Sequence, residues 1–587
     1  MKNSLFFKAL LLILCLCLAF SVVGCQNSGE SNVSSNPSSE EPTSSEEPTI
    51  PDEPSSEPED TTELPNEEDL WVDEVPGDEL PEYDDDDEMF FEETVNVANG
   101  SAPTQTNFLG MNTVYHCYTY INDSDGRNYT EEQAQLEFNR LQNTGVKIVR
   151  TYYNHEFAYD KATSSFNWES DDLKAVYKWM KEMQKRDISV ALNTGWSLRG
   201  CYIPNYYAPW LGCYVDGDLE TTAKNNANFI RDSLNQFRAH GINNVDYLIL
   251  FTEPSGTGDD PNLKNWSSSE LVNYTWEESY DFDPNTERWL TCSRAIHDAL
   301  VADGTRNLYK TVGPNTSTMW HAKDSDIYMT PLYYFAIKYA SDFVDIYSDH
   351  RYPTISNVEI DTVSYVIEEN LGLHDTAKMA RDIGKEFWYD ETGLSATGGL
   401  FKHPNNIPAQ GRHIGSYFAD SMNHGVQNIM WWYLFDQQWP DNHTNNNDQF
   451  VNGMHCCGLI PSLMESYIPE TSYYSYSLLS KYFGNLATVY KAEAEYEYFN
   501  CGVQKDKDGE WSICISNLET DVGYVEINFE ENIGNKKFYR HVYNAFNMVP
   551  TMEAEIVPAD NIITTKGDCL ADKIPANSVV VYTTIKD

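Results

Sequence analysis

From about residue 97 onward the chain alternates short apolar runs with longer amphipathic stretches. The apolar runs are NFLGMNTVYHCY, VKIVRTYYN, ISVALNTGW, VDYLILFTEP, LYKTVGPNTS, FVDIYSDHRYP, EFWYDETG and VQNIMWWYLFD. Stretches such as TEEQAQLEFNRLQNTG, DDLKAVYKWMKEMQKRD, NNANFIRDSLNQFRAHG and GRHIGSYFADSMNHG carry helical periodicity, and SYYSYSLLSKYFG closes the series. Eight strand–helix units predict an α/β fold, a (β/α)8 TIM barrel over residues 97–487. Residues 488–587 change character. YVEINFE, KKFYRHVYN and ANSVVVYTTI read as strands with no long helix among them, which predicts a small all-β sandwich domain.

The barrel is longer than the fold requires. The excess lies after strands, in 197–222, 254–285 and 436–465, where loops of this fold build an active-site rim. Two apolar runs end in a carboxylate. A strand over 247–252 delivers Glu253, and a strand over 386–391 delivers Glu391. Alternation puts residues 249, 251 and 253 on one face, and 387, 389 and 391 on one face. In each segment the glutamate is then the last polar member of its face. Glu386 enters its strand and is expected at the opposite, structural end of the barrel.

The N-terminus changes the picture of where this barrel works. A basic start, an apolar run and a small-residue exit read as a secretory signal over residues 1–25. Its end, VVGC, resembles the lipobox of bacterial lipoproteins, which implies lipid attachment at Cys25 and an outward-facing membrane anchor. Residues 26–93 hold 26 Asp or Glu and no Lys or Arg, among many Ser, Pro and Thr. Such a segment buries too little apolar surface to fold and repels itself, so residues 26–96 are expected to be a disordered tether. The YDDDDE run within it lacks the spaced ligands of a calcium loop.

The whole chain carries a net charge of −52, which argues against a nucleic-acid partner. Nine cysteines follow Cys25 with no zinc-like spacing. Cys201 with Cys213, and Cys501 with Cys514, could pair across a loop and a hairpin; free thiols fit the same spacing.

On these residues the chain resembles the clan A glycoside hydrolases, retaining enzymes built on a (β/α)8 barrel, over most of 105–587. The carriers are Thr252-Glu253-Pro254 after strand four, Glu391 in DETG ending strand seven, Arg150 in strand two, His350-Arg351-Tyr352 in strand six, and Trp431 or Trp432 in strand eight. The departure is Thr252, where those enzymes usually carry asparagine. The resemblance implies Glu391 as nucleophile and Glu253 as general acid/base in cleavage of a β-linked carbohydrate. Arg150 is expected beside Glu391 as its counter-charge. Tyr352 is expected to hydrogen-bond the nucleophile, and His350 to bind sugar hydroxyls. Asn315, in VGPN of strand five, and Thr252 are further candidates for the pocket.

Aromatic side chains fit the same chemistry, because sugar rings stack on flat apolar surfaces. Trp196, Trp210, Trp320, Trp432 and Trp439 lie at or beyond strand ends, with Trp432 favoured as the platform. Glu156 after strand two is a possible third carboxylate. No cofactor and no metal are implied; the histidine spacings do not share a helix face, and neither a GxSxG elbow nor a phosphate loop is present. The expectation is a retaining β-glycosidase. The alternatives are an endo-β-glycanase or transglycosylase of the same fold, and a non-catalytic carbohydrate-binding surface lipoprotein.

Overall fold

The computed structural model describes residues 91–98, 104–105, 109–113, 130–153, 157–160, 162–163, 165–194, 219–254, 284–317, 329–355, 374–393, 395–396, 408–435, 437–438, 450–451, 454–455, 458–460, 468–495 and 499–586. The signal segment with Cys25 and nearly all of the tether lie outside these residues. So do Glu156, Trp196, Trp210, Trp320, Trp439, Cys117, Cys201, Cys213, Cys456 and Cys457.

Eight strands close into a barrel. In chain order they are β1 (Leu109–Thr113), β2 (Ile148–Tyr152), β3 (Ser189–Asn193), β4 (Val245–Ile249), β5 (Lys310–Ser317), β6 (Ile346–Arg351), β7 (Glu386–Thr392) and β8 (Asn428–Trp431). All neighbours are parallel, and β8 pairs with β1 to complete the ring. A helix follows each strand: α1 (Glu131–Thr144), α2 (Asp171–Lys185), α3 (Leu219–Ala239), α4 (Pro284–Ala302), α5 (Pro331–Tyr339), α6 (Asp375–Asp382), α7 (Pro408–Asn423) and α8 (Thr471–Tyr482). Parallel strands need such crossovers, and the helices cover the outside of the barrel.

Local sequence sets the helix ends. Thr130 and Gln133 cap α1 reciprocally, with Thr130 N–H donating to Gln133 at 2.7 Å and Gln133 N–H to Thr130 at 3.2 Å. Gly145 ends α1 at φ 74°, a conformation that suits glycine and turns the chain into β2. The helix α5 has no strong polar face in the sequence, because PLYYFAIKY is mostly apolar and five of its residues are buried. Its Thr330 cap, accepting from Tyr333 N–H at 3.1 Å, is the local signal for it.

The barrel has two apolar layers. Ile148, Ala191, Tyr247, Ile249, Val312, Ile346, Trp388 and Met430 fill the interior. Val149, Phe387, Tyr389 and Trp431 belong to the larger core shared with the helices. Gly110 is required by this filling, since a Cβ there would come within 3.0 Å of both Ile148 and Met430.

The β-sandwich begins earlier in the chain than the composition suggests. Residues Phe91–Val97, of which 91–96 close the expected tether, form a strand parallel to Gly523–Phe529. They lie in a four-stranded sheet with Ala492–Glu493 and Cys569–Ile574. Thr104–Gln105 joins the seven-stranded partner sheet beside Ala487–Tyr490. Alternation in FEETVNV buries Val95 and Val97 between the sheets, which offsets the acidic residues around them. The other face of the seven-stranded sheet lies on α7 and α8; Ser516 donates to the Arg412 carbonyl at 2.9 Å.

Cys501 and Cys514 are free and buried. They cannot pair across their hairpin because Cys514 stands opposite Gly502, one register position from Cys501, so the two thiols point to opposite sheet faces.

Candidate active site

Regular alternation delivers the β2 and β6 residues. Ile148 faces the barrel interior, and Arg150 and Tyr152 follow on the same face at successive alternate positions. On β6, Ile346 starts the inward series that continues through His350 to Tyr352. On β8, Met430 is inward and Trp431 outward, so Trp432 comes to the inner side at the strand end.

The two glutamates arrive differently. In β7, Phe387 and Tyr389 face the helices and only Trp388 between them faces inward. Unbroken alternation would therefore send Glu391 outward with 387 and 389, so alternation alone does not bring it to the pocket. The ladder slips at this point: Asp349 pairs with Tyr389, and His350 next pairs with Glu391, skipping Asp390. This bulge brings Glu391 inward. In β4 regular pairing ends at Ile249. Leu250 and Phe251 both join the helix-facing core, so 249 and 251 do not share a face. Positive φ at Phe251 (66°) and Glu253 (42°) breaks the alternation and redirects Glu253. A third irregularity lies in β5, where the ladder skips Asn315 at φ 56° and the strand continues to Ser317 instead of ending at VGPN.

These elements bring the predicted residues together. An oxygen of Glu253, a nitrogen of His350 and an oxygen of Glu391 all lie within 4.8 Å of one another. Arg150 Nη1 donates to Glu391 Oε2 at 2.7 Å, and Tyr152 donates to the same oxygen at 3.2 Å. Tyr352 donates to Glu391 Oε1 at 2.8 Å. His350 Nδ1 is 3.0 Å from Glu253 Oε1 and 3.5 Å from Glu391 Oε1. Asn315 carbonyl accepts from Glu253 N–H at 3.0 Å.

Arg150 is the hub beneath the carboxylates. Its guanidinium also donates to Asn112 at 2.9 Å, and to Thr252 and Asn315 at 3.4 Å each. Asn193 donates to Thr252, and Asn315 to Asp390. Burial alone would disfavour the Arg150 charge, but Tyr152, Glu391 and Asp390 outweigh it and raise its pKa. Burial raises the Tyr152 and Tyr352 phenols well above their usual range, so both stay protonated donors. For His350, burial works against protonation, while Glu391, Glu253 and Asp390 more than offset it and raise its pKa.

Trp432 stands edge-on to Tyr152, with ring centroids 6.4 Å apart, whereas Trp431 is committed to the helix-facing core. Glu386 lies at the opposite end of β7 and pairs with Lys310 at 3.5 Å. Four residues of the site were not singled out in the sequence: Asn112, Tyr152, Asn193 and Asp390. Tyr152 was findable, two residues beyond Arg150. The other three depend on neighbouring strands for their roles.

A separate cluster, His374 at the N-cap of α6, Asp420 in α7 and His424 just after it, brings three possible metal ligands within 4.8 Å of one another. Its groups already satisfy one another: Asp420 accepts from His374 at 2.8 Å and from His424 at 3.0 Å, and His374 Nδ1 meets Tyr389 at 2.9 Å.

Solved structures share this fold. The catalytic domain of GH30 xylanase C from Talaromyces cellulolyticus is 13% identical, with a TM-score of 0.54 over 84% of this chain and 99% of that one. A GH51 arabinofuranosidase from Xanthomonas axonopodis pv. citri is 14% identical, with a TM-score of 0.53 and the same coverage. An endo-β1,6-glucanase is 14% identical, with a TM-score of 0.52 over 85% of this chain and 94% of that one. At these identities the likeness is one of fold. No family model matches the chain, and no curated protein matches it.

Proposed function

We propose that the protein is a glycoside hydrolase that cleaves a β-linked carbohydrate with retention of anomeric configuration. The observation that carries this reading is the pair of carboxylates delivered after β4 and at the end of β7, one oxygen of Glu253 lying within 4.8 Å of one oxygen of Glu391. Retaining enzymes hold their carboxyl groups about 5–5.5 Å apart, whereas inverting enzymes leave room for a water at roughly 6.5–9.5 Å.

The surroundings divide the roles. Glu391 has a guanidinium and a phenol on Oε2 and a second phenol on Oε1, a setting that fixes and supports an attacking carboxylate. It attacks the anomeric carbon as the glycosidic bond breaks. Glu253 carries the proton that goes to the leaving oxygen, then takes a proton from the water that frees the sugar. Its contact with the His350 imidazole gives it a partner for that exchange. Trp432 offers an apolar ring to the sugar, its plane perpendicular to that of Tyr152.

Xylanase, arabinofuranosidase and glucanase share the fold, so the sugar has to be read by experiment. A panel of aryl glycosides and β-linked oligosaccharides, with product analysis, identifies the sugar and distinguishes exo from endo cleavage. Proton NMR of the first product is expected to show the substrate's own anomeric configuration. Initial release of the opposite anomer rejects retention, and no turnover across the panel rejects the hydrolase.

A further inference from the structure

Beneath the two glutamates, two buried polar atoms face each other without a hydrogen bond to any described group. They are His350 Nε2 and Asp390 Oδ1, 3.8 Å apart. Buried polar atoms in native proteins are nearly always paired, so two such atoms within a small movement of bonding require an explanation. The other sides of both groups are fixed. His350 Nδ1 meets Glu253 Oε1 at 3.0 Å and lies 3.5 Å from Glu391 Oε1. Asp390 accepts from the Asn315 amide through Oδ2, and its backbone carbonyl accepts from Asn112 at 3.3 Å. The β7 bulge is what lets Asp390 and Glu391, consecutive residues, both serve the barrel interior.

We propose that Asp390 is a positioning residue that keeps His350 protonated at Nε2, so that Nδ1 is the atom that exchanges a proton with Glu253. This rests on the glycosidase reading given above. A carboxylate facing Nε2 excludes the tautomer that would place a lone pair there. The ring then has two useful states. Neutral, its Nδ1 lone pair accepts from the protonated Glu253 carboxyl. Protonated, Nδ1–H donates to the ionised Glu253 carboxylate. One proton moves between Glu253 and Nδ1 and none is lost, so the step balances without another reactant.

The other charged and titratable groups facing this pair are Arg150 on β2, Glu391 on β7, and the Tyr152 and Tyr352 phenols that bond Glu391. Arg150 and Glu391 offset each other at 2.7 Å. A negative Asp390 therefore tightens the hold of the Glu253–His350 pair on its proton. Burial raises the Asp390 pKa, and His350 and Arg150 act against that rise.

The test is Asp390→Asn, which keeps shape and removes charge. Kinetics with aryl glycosides should show the alkaline limb of kcat/KM moving to lower pH by about one unit, since loss of a nearby negative charge weakens proton binding. At the wild-type optimum the loss should be about tenfold or more with a poor leaving group, because general acid catalysis supplies roughly 10²–10⁴. It should be smaller with a dinitrophenyl leaving group. A uniform fall at every pH with the limb unmoved, or an unchanged profile, overturns the proposal.

A second measurement covers a variant that fails to fold. In ¹⁵N-histidine-labelled wild-type protein, with the His350 signals assigned by comparison with His350→Gln, Nε2 should stay protonated while Nδ1 titrates. An unprotonated Nε2 overturns the proposal. Wild-type protein that hydrolyses no glycoside rejects the glycosidase reading instead, and the NMR spectrum still reports whether His350 stays protonated at Nε2, the atom that faces Asp390.

Discussion

Arg150 Nη1 bonds Glu391 Oε2 at 2.7 Å and, through the same nitrogen, Asn112 at 2.9 Å, so one fully buried guanidinium joins the carboxylate of β7 to an amide on β1. The planar fork lets it reach Thr252 and Asn315 as well, at 3.4 Å each. Replacing Arg150 by Met should lower kcat/KM at least ~100-fold. It should also destabilise the fold by about 3–5 kcal/mol, the usual cost of breaking a buried pair from one side. Arg150→Lys should recover stability better than activity, because an ammonium cannot reproduce the fork. Denaturant unfolding and steady-state kinetics on both variants check this. Wild-type kcat/KM in Arg150→Met would leave Arg150 a purely structural role.

The two glutamates should respond differently to rescue. Glu391→Ala should lose turnover, and azide should restore it by direct displacement, giving a glycosyl azide of inverted configuration. Glu253→Ala should still react with substrates bearing good leaving groups, which need little proton donation. Azide should then attack the glycosyl-enzyme and give the retained azide. NMR of the azide products reads the outcome, and swapped stereochemistry would reverse the roles.

His413 on α7 sets part of the acid stability. Burial, aided by the neighbouring Arg412 charge, pushes its pKa down to about 3. The unfolded chain takes up the proton near pH 6.5 while the folded chain resists it, so unfolding gains protons as pH falls. The folded state should then lose up to about 1.4 kcal/mol per pH unit between roughly pH 6 and 3.5 on this account. His413→Gln should flatten that part of the stability curve. Parallel curves for the two proteins in urea titrations would remove His413 from the acid response.

The anchor is tested in cells. From the VVGC end of its apolar leader, we propose that the mature chain begins at a lipidated Cys25 and faces outward on a bacterial membrane. Cys25→Ala should move the protein out of the membrane fraction. Unchanged membrane retention of the mature chain would sink the proposal.

Much of the barrel was legible because each strand and helix carries its own periodicity, and burial in two layers selects that periodicity. Arg150, His350 and Tyr352 follow the same rule, standing two, four and six positions respectively beyond an inward apolar residue of their strand, Ile148 for the first and Ile346 for the other two. The α5 helix escaped because its sequence is apolar almost all round, and the Phe91–Val97 strand because acidic composition masked its buried valines.

By itself, the sequence determined the order of the eight barrel strands and most of the helices, the acidic N-terminal segment, and which glutamates follow β4 and close β7. These are local or compositional properties, written in neighbouring residues. The tertiary structure decided where those glutamates point. Alternation fails at Phe251, Asn315 and Asp390, where positive φ or a skipped ladder position shifts the chain by one residue. A one-residue shift reverses the face of everything after it. Such a shift is set by pairing with the adjacent strand. That partner lies tens of residues away in the chain, so no local pattern records it.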